Sequence, residues 1–256
     1  EHNVIVVSMN YRLGVLGFLY NSELGLAGNY GFLDQQLALN WVRDNIASFY
    51  GDPGNVTIFG ESAGAMSVGL HVSVAPASKG LFQRAIMESN PFGLQYKTPA
   101  QAMKLAKDFN SAAGCGLLTP ADKKLACLRG KSVEHLLGSQ IGVLSGLATL
   151  LQGFAVLPWA PVVDGTVITR QPTVAAANQG FADTAYINGS NANESILFVD
   201  PLKPYLPLLY GTVLDIMFGK ANAKAVKARY KDQGSTNYER MLKIVNDFTF
   251  TCANRY

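Results

Sequence analysis

Val4–Met9 is a β-branched run without polar alternation, the pattern of a strand buried on both faces of a mainly parallel sheet. Shorter apolar runs at Val56–Phe59, Ala85–Glu88 and Ala185–Asn188 predict further strands. Between them the period changes to that of helices. Leu33, Leu37 and Trp41 recur every four residues, and Leu39, Val42 and Ile46 widen the stripe, so a helix is expected from about Phe32 to Ile46. A turn at Gly28–Gly31 precedes it, and YGDPGN (50–55) breaks it with Gly, Asp and Pro. Further helices are predicted at Ala63–Val72, 98–113 and 120–138. Strands alternating with helices define an α/β fold with a parallel sheet.

Composition adds bounds. The 256 residues suffice for one large domain with a buried core; 48% are hydrophobic and 15% charged. The net charge of +3 is scattered, with no basic stripe, which argues against nucleic-acid binding. The opening EHNVIVVSMNYR has no initiator Met and no signal peptide and enters a strand within four residues, so the chain reads as a piece of a longer protein. From Leu136 to Val163 no residue is charged, and Gly138, Gly142 and Gly146 fall four apart. Ser139, Gln140, Ser145 and Gln152 interrupt that run, and no basic cluster flanks it. A wall over a substrate pocket or a buried helix pair is expected, not membrane insertion.

Cys115 and Cys127 flank GLLTPADKKLA, a loop that a disulfide could close in an oxidising compartment. Two reduced thiols in a cytosolic chain are the alternative, and spacing does not choose between them. Asn-x-Ser/Thr occurs at Asn55, Asn188 and Asn193. The first opens a predicted buried strand and the others flank a candidate catalytic loop, so all three read as chance matches.

The densest chemistry lies in TIFGESAGAMS (57–67). Ser62 stands between a strand and a helix, with Gly60 two residues before and Gly64 two after. A serine hydroxyl is a poor nucleophile unless exposed, oriented and relieved of its proton. A tight strand-to-helix turn supplies exposure and orientation, and both flanking glycines are expected to be needed for its tightness. The helix that follows aims its N–H groups at the site, so the Ala63 amide can donate to a developing oxyanion.

NYRLGVLGFL, GNYGFLDQQLALNWVRDNI, GDPGNVTIFGESAGAMSVGLH and APVVDG, with DFTFTCANRY near the end, resemble type-B carboxylesterases, the cholinesterase-like branch of the α/β-hydrolases. The resemblance covers nearly the whole chain and is densest over residues 4–90. It implies an α/β-hydrolase fold, incomplete at both ends, and ester hydrolysis through an acyl-enzyme on Ser62, with no cofactor and no metal. It places core strands and the elbow in 1–95, a helical, lid-like insertion in about 96–160, the return to the sheet in 161–200 and a helical segment in 201–256. LACLRG after Cys115 resembles the family's small disulfide loop, which favours the Cys115–Cys127 pair and a secreted or periplasmic protein. The partner implied is a small-molecule carboxylic ester.

In this family the acid is a glutamate in a Gly-x-x-x-x-Glu segment; here GSNANES makes it Glu194, followed by Ser195 where the family has glycine. Asp164 of APVVDG is the runner-up and reads as structural. Glu61 beside the nucleophile implies either electrostatic support of the site or a buried, hydrogen-bonded carboxylate. PFGLQY would line the acyl side of the pocket, with Phe92 and Tyr96 as candidates, and Tyr50 replaces a usual glycine. The base is the difficulty. His2, His71 and His135 all precede Glu194, whereas this fold puts its histidine after the acid. The catalytic histidine and the Gly-rich oxyanion loop are therefore expected outside these residues, which should leave this chain weak or inactive by itself. A non-catalytic cholinesterase-like adhesion module is the alternative; such modules commonly lose the nucleophile, which is kept here.

Overall fold

A computed structural model of the chain describes residues 3–142, 158–178 and 184–255. After a short helix α1 (Gly14–Phe18), a hairpin pairs β1 (Tyr20–Asn21) with β2 (Leu26–Ala27), and α2 (Tyr30–Asn45) follows. Next come β3 (Thr57–Glu61), α3 (Ala63–Ser73) and β4 (Arg84–Glu88). The helices α4 (Pro99–Ala112), α5 (Lys124–Arg129), α6 (Val133–Gly142) and α7 (Pro172–Ala177) lead to β5 (Ala185–Gly189). The chain then forms α8 (Ile196–Val199), α9 (Leu206–Arg229), α10 (Asn237–Asn246) and a π-helical turn at Asp247–Thr251.

Among the described residues β3, β4 and β5 form a parallel sheet in that order. Their register aligns Glu61, Glu88 and Gly189, so all three strands end at one edge. Beyond its exposed first turn α3 is buried at Ala65, Met66 and Val68–Ser73, as an apolar helix at the centre of a fold must be. Its Ala65, Val68 and Val72 pack on Ile58 of β3 and on Ala85 and Met87 of β4. A second cluster on its other side joins Met66 and Leu70 to Phe18, Phe32, Tyr96 and Ile168. Local signals fix the other helices. Thr98 and Gln101 close a capping box on α4, Thr236 and Glu239 do the same on α10, and Gly219 (φ 74°, ψ 150°) breaks α9.

Four expectations change. Val4–Met9 is extended but pairs with no strand among the described residues, and Val4 and Val6 are more than 70% exposed (73% and 72%). Its pattern suits burial, yet burial requires neighbours that the described residues do not bring to it. The helix at α2 is as predicted, but its face is turned. Leu33, Leu37 and Trp41 lie outward, while Phe32, Gln35, Gln36, Leu39 and Val42 are buried. The predicted helix at 120–138 is two helices, because the chain breaks after Arg129 and Ser132 caps the next turn through the amide of His135 (3.2 Å). Asn55, expected to open a buried strand, lies exposed in the turn before β3. Most of the uncharged run, 143–157, lies outside the described residues, and among those described no helix is long and apolar enough to cross a membrane.

The glutamines on the inner face of α2 are not left unpaired. Gln35 accepts from His71 Nε2 (3.1 Å) and donates to Ser67 Oγ (3.1 Å); Ser78 Oγ lies 2.7 Å from His71 Nδ1 and accepts from Gln36 (3.0 Å). Gln35, Gln36, His71 and Ser78 thus partner one another and Ser67, which is what makes this polar cluster tolerable in a core. With Phe32 stacked on its ring (centroids 4.2 Å apart), His71 is held neutral: burial lowers its pKa from 6.5 to about 3.

Candidate active site

Ser62 forms the corner between β3 and α3. Its backbone is held at φ 53°, ψ −114°, a conformation that costs a non-glycine residue about 1–3 kcal/mol. The sheet holds it there, for the Ser62 amide donates to the Glu88 carbonyl of β4 (2.9 Å). The space around the corner explains one of its glycines. A Cβ at Gly60 would lie 2.5–2.9 Å from backbone atoms of Gly64, closer than Cβ contacts allow. A Cβ at Gly64 would meet nothing within 4 Å, so only Gly60 is required to be small, contrary to the sequence-based expectation for Gly64.

The Ser62 side chain does not cap α3. That leaves its hydroxyl for other chemistry and leaves first-turn amides, Ala63 among them, without an intrahelical acceptor. Ala63 is exposed and lines an open cleft whose walls include Phe18, Phe32, Met66, Leu70 and Trp159. Tyr96, also in that wall, is buried, and its hydroxyl donates to the Met66 carbonyl (3.4 Å). It separates the cleft from a smaller hollow lined by Asn90 and Phe92, so Phe92 lies one chamber away from Ala63. Glu61 is exposed, which removes the buried alternative considered for it.

Glu194 follows β5 on a loop held from several sides. Its amide donates to Asn246 Oδ1 of α10 (2.8 Å), and its Oε1 accepts from the Asn191 amide (2.6 Å). Burial pushes its carboxyl up, but hydrogen bonds from the Ser89 hydroxyl and from Asn191 outweigh it and hold the group below the ordinary carboxylate range. Ser195, fully buried, ties the loop to α10 by donating to the Leu242 carbonyl (2.8 Å).

Ser89 is the residue that sequence reasoning passed over. It follows Glu88, whose carbonyl positions the Ser62 amide, and its own φ is 54°. Its amide donates to the Gly189 carbonyl (2.7 Å), its hydroxyl oxygen accepts from Asn191 Nδ2 (3.3 Å), and the hydroxyl favours the ionised form of Glu194. Two adjacent residues at the end of β4 thus join the serine to the carboxylate. GLU-SER-ASN in the sequence carries no hint of this, because the connection exists only once three strands are aligned.

The remaining candidates lie elsewhere. Asp164 Oδ1 accepts from the amides of Thr166, Val167 and Ile168 (2.9, 2.9 and 3.1 Å), and its Oδ2 accepts from Asn29 (3.0 Å), a loop-closing role. His71 is enclosed in the α2–α3 core, and His135 donates through Nε2 to the Ala113 carbonyl at the end of α4 (3.2 Å). His2 is outside the described residues. Cys115 and Cys127 form a disulfide. Among the described residues no cluster of His, Cys, Asp and Glu could hold a metal ion.

A parallel sheet with a strained serine at a strand-to-helix corner, and with a glutamate on the loop after a later strand, is the arrangement of an α/β-hydrolase. A profile of the carboxylesterase family matches residues 1–255, and the chain belongs to that family. It is 40% identical over 260 residues to the "Crystal protein" of Dictyostelium discoideum, covering 99% of this chain and 45% of that one. Against carboxylesterase 1E of Mus musculus it is 36% identical over 267 residues, covering 98% and 47%. A solved structure titled PNB esterase superposes with a TM-score of 0.78 at 31% identity, over 96% of this chain and 50% of that one. The chain spans about half the length of these curated relatives.

Proposed function

We propose that these residues carry the nucleophile, the acid and one oxyanion donor of a serine carboxylic ester hydrolase. Ser62 Oγ attacks the ester carbonyl carbon, the alcohol leaves, and water then hydrolyses the acyl-enzyme. The Ala63 amide stabilises the oxyanion in both steps. Glu194, kept ionised by Ser89 and Asn191, orients the histidine that takes the Ser62 proton and stabilises its imidazolium. Ser89 is a positioning residue, acting through Glu194.

Neither His71 nor His135 serves as the base in this reading; the histidine and the other oxyanion donors belong to sequence beyond the 256 residues. The chain as given is one part of an α/β-hydrolase domain and is expected to turn esters over slowly or not at all, since general-base help is worth roughly 10²–10⁴ in rate. The substrate is a small carboxylic ester with an apolar group, to suit the cleft beside Ala63. The Cys115–Cys127 disulfide supports a secreted or periplasmic location.

The observation that carries the reading is the strained Ser62 backbone with its hydroxyl withheld from capping α3. It is tested with p-nitrophenyl butyrate and the protein in the full length its gene encodes. Ser62→Ala is expected to lower kcat by on the order of 10⁶, and Glu194→Gln by about 10⁴. Unchanged turnover in Ser62→Ala would overturn this reading by showing that another group is the nucleophile, and no turnover in the folded, unsubstituted protein would favour a binding module.

A further inference from the structure

We propose that Asn55 is an N-glycosylation site. Of the three Asn-x-Ser/Thr triplets in the chain, the structure separates one from the other two. Asn188 sits within β5, where its Oδ1 is buried and its Nδ2 donates to the Asn254 carbonyl (3.4 Å). Asn193 precedes Glu194, and the hydroxyl residue of its triplet, Ser195, is fully buried with its Oγ committed to Leu242. A glycan on Asn188 would stand in the sheet, and one on Asn193, though that residue is exposed, would stand against the candidate acid loop.

Asn55 is exposed and lies outside both the strand pairing and the candidate acid loop. It ends an exposed, well-formed turn in which the Gly54 amide donates to Asp52 Oδ1 (2.8 Å) and the Asn55 amide to the Asp52 carbonyl (3.1 Å). Both Asn55 and Thr57 are exposed. The side-chain bond that Asn55 makes, from Arg84 Nη1 to its Oδ1 (2.5 Å), engages the amide oxygen and not Nδ2, the atom that is modified. A second, independent observation is the disulfide: Cys115–Cys127 belongs to a protein made in an oxidising compartment, which in eukaryotes is the compartment where the modification takes place. Position also favours it. Asn55 precedes β3 and Ser62 follows it, so the strand separates them by roughly 17 Å at about 3.3 Å per residue. A glycan there stands at the edge of the sheet opposite the serine.

The donor is a polyprenyl-diphosphate-linked oligosaccharide. Asn55 Nδ2 forms the bond to the first sugar's anomeric carbon, the bond from that carbon to the diphosphate oxygen breaks, and Nδ2 gives up one proton. The sequon is read on the extended chain, and folding then retains only a glycan that the surface tolerates.

The test is secretory expression of the full-length protein in a eukaryotic host, followed by peptide mass mapping. The same sample is examined for the Cys115–Cys127 peptide without reduction. Treatment with peptide-N-glycosidase in heavy-oxygen water converts a glycosylated asparagine to labelled aspartate. Labelled residue 55, with residues 188 and 193 unlabelled, is expected, and Asn55→Gln should remove that label without changing ester turnover. Unlabelled Asn55 in disulfide-bonded protein would overturn the proposal. So would recovery of the protein with both cysteines reduced, since the oxidising compartment is one of its two supports.

Discussion

Two stretches read as buried strands from their apolar residues, and they end in different states. Thr57–Glu61 lies in the sheet, paired along its whole length with Arg84–Glu88, and the chain turns at its end into α3. Val4–Met9 is just as apolar and stays extended, exposed and unpaired among the described residues. The first stretch has its partners nearby: α3 follows it directly, and β4 returns beside it after one short crossover. The second has no strand beside it among the described residues. Apolar pattern states what a segment can tolerate; proximity of partners decides whether it is used.

The elbow gives the sharpest test of that contrast, because its two glycines differ. Gly60→Ala drives a Cβ into the Gly64 backbone, and overpacking of this kind costs about 1–3 kcal/mol or more and displaces Ser62. Loss of ester turnover in the full-length protein with reduced thermal stability is expected. Gly64→Ala meets open space and should leave both within error or gain a few tenths of a kcal/mol from helix propensity. Equal damage from the two would break the picture of the turn.

Truncation compares the two apolar stretches directly. Ile58→Ala removes a side chain packed in the sheet–α3 core and should cost about 2–5 kcal/mol in urea unfolding. Val6→Ala, at 72% exposure, should stay within about 0.5 kcal/mol in this chain. A large cost at Val6 would mean that the segment pairs after all.

Acid probes the polar core behind the elbow. The His71 pKa of about 3 lies below the 6.5 of an unfolded chain, so the unfolded state binds the proton first as pH falls. The contribution of His71 is complete above pH 6.5 and is lost as pH drops toward 3, by about 2 kcal/mol at pH 5. Stability measured from pH 7 to 5 should fall accordingly, and His71→Gln should flatten that slope.

A gain is expected at Tyr50, which ends the short helical turn Ile46–Phe49 in a left-handed conformation (φ 64°) with its side chain fully exposed. Tyr50→Gly should raise stability by about 1 kcal/mol, since glycine adopts that backbone without a Cβ clash. A fall in thermal midpoint would contradict it.

The legible part of this molecule is what neighbouring residues determine. Gly60-Glu61-Ser62-Ala63-Gly64 announced a strand-to-helix corner, and the helical pattern at 98–113 matches α4. The illegible part depends on contacts between distant residues. The inward face of α2 was misread because Gln35 and Gln36 are buried by bonds to Ser67, His71 and Ser78, which no hydrophobic count reveals. Gly64 was assigned a steric need that belongs to Gly60 alone, since their crowding is one-sided. The part played by Ser89 required β4 and β5 to be side by side.

One measurement bears most directly on Ser62. The full-length protein is treated with a fluorophosphonate, and the adduct is located by peptide mass mapping alongside a Ser62→Ala control of equal thermal stability. Stoichiometric phosphonylation of Ser62, with loss of ester turnover and no adduct in the control, is the predicted result. A folded protein that takes no adduct, or takes it equally in the control, would show that the corner is a structural turn and not a nucleophile.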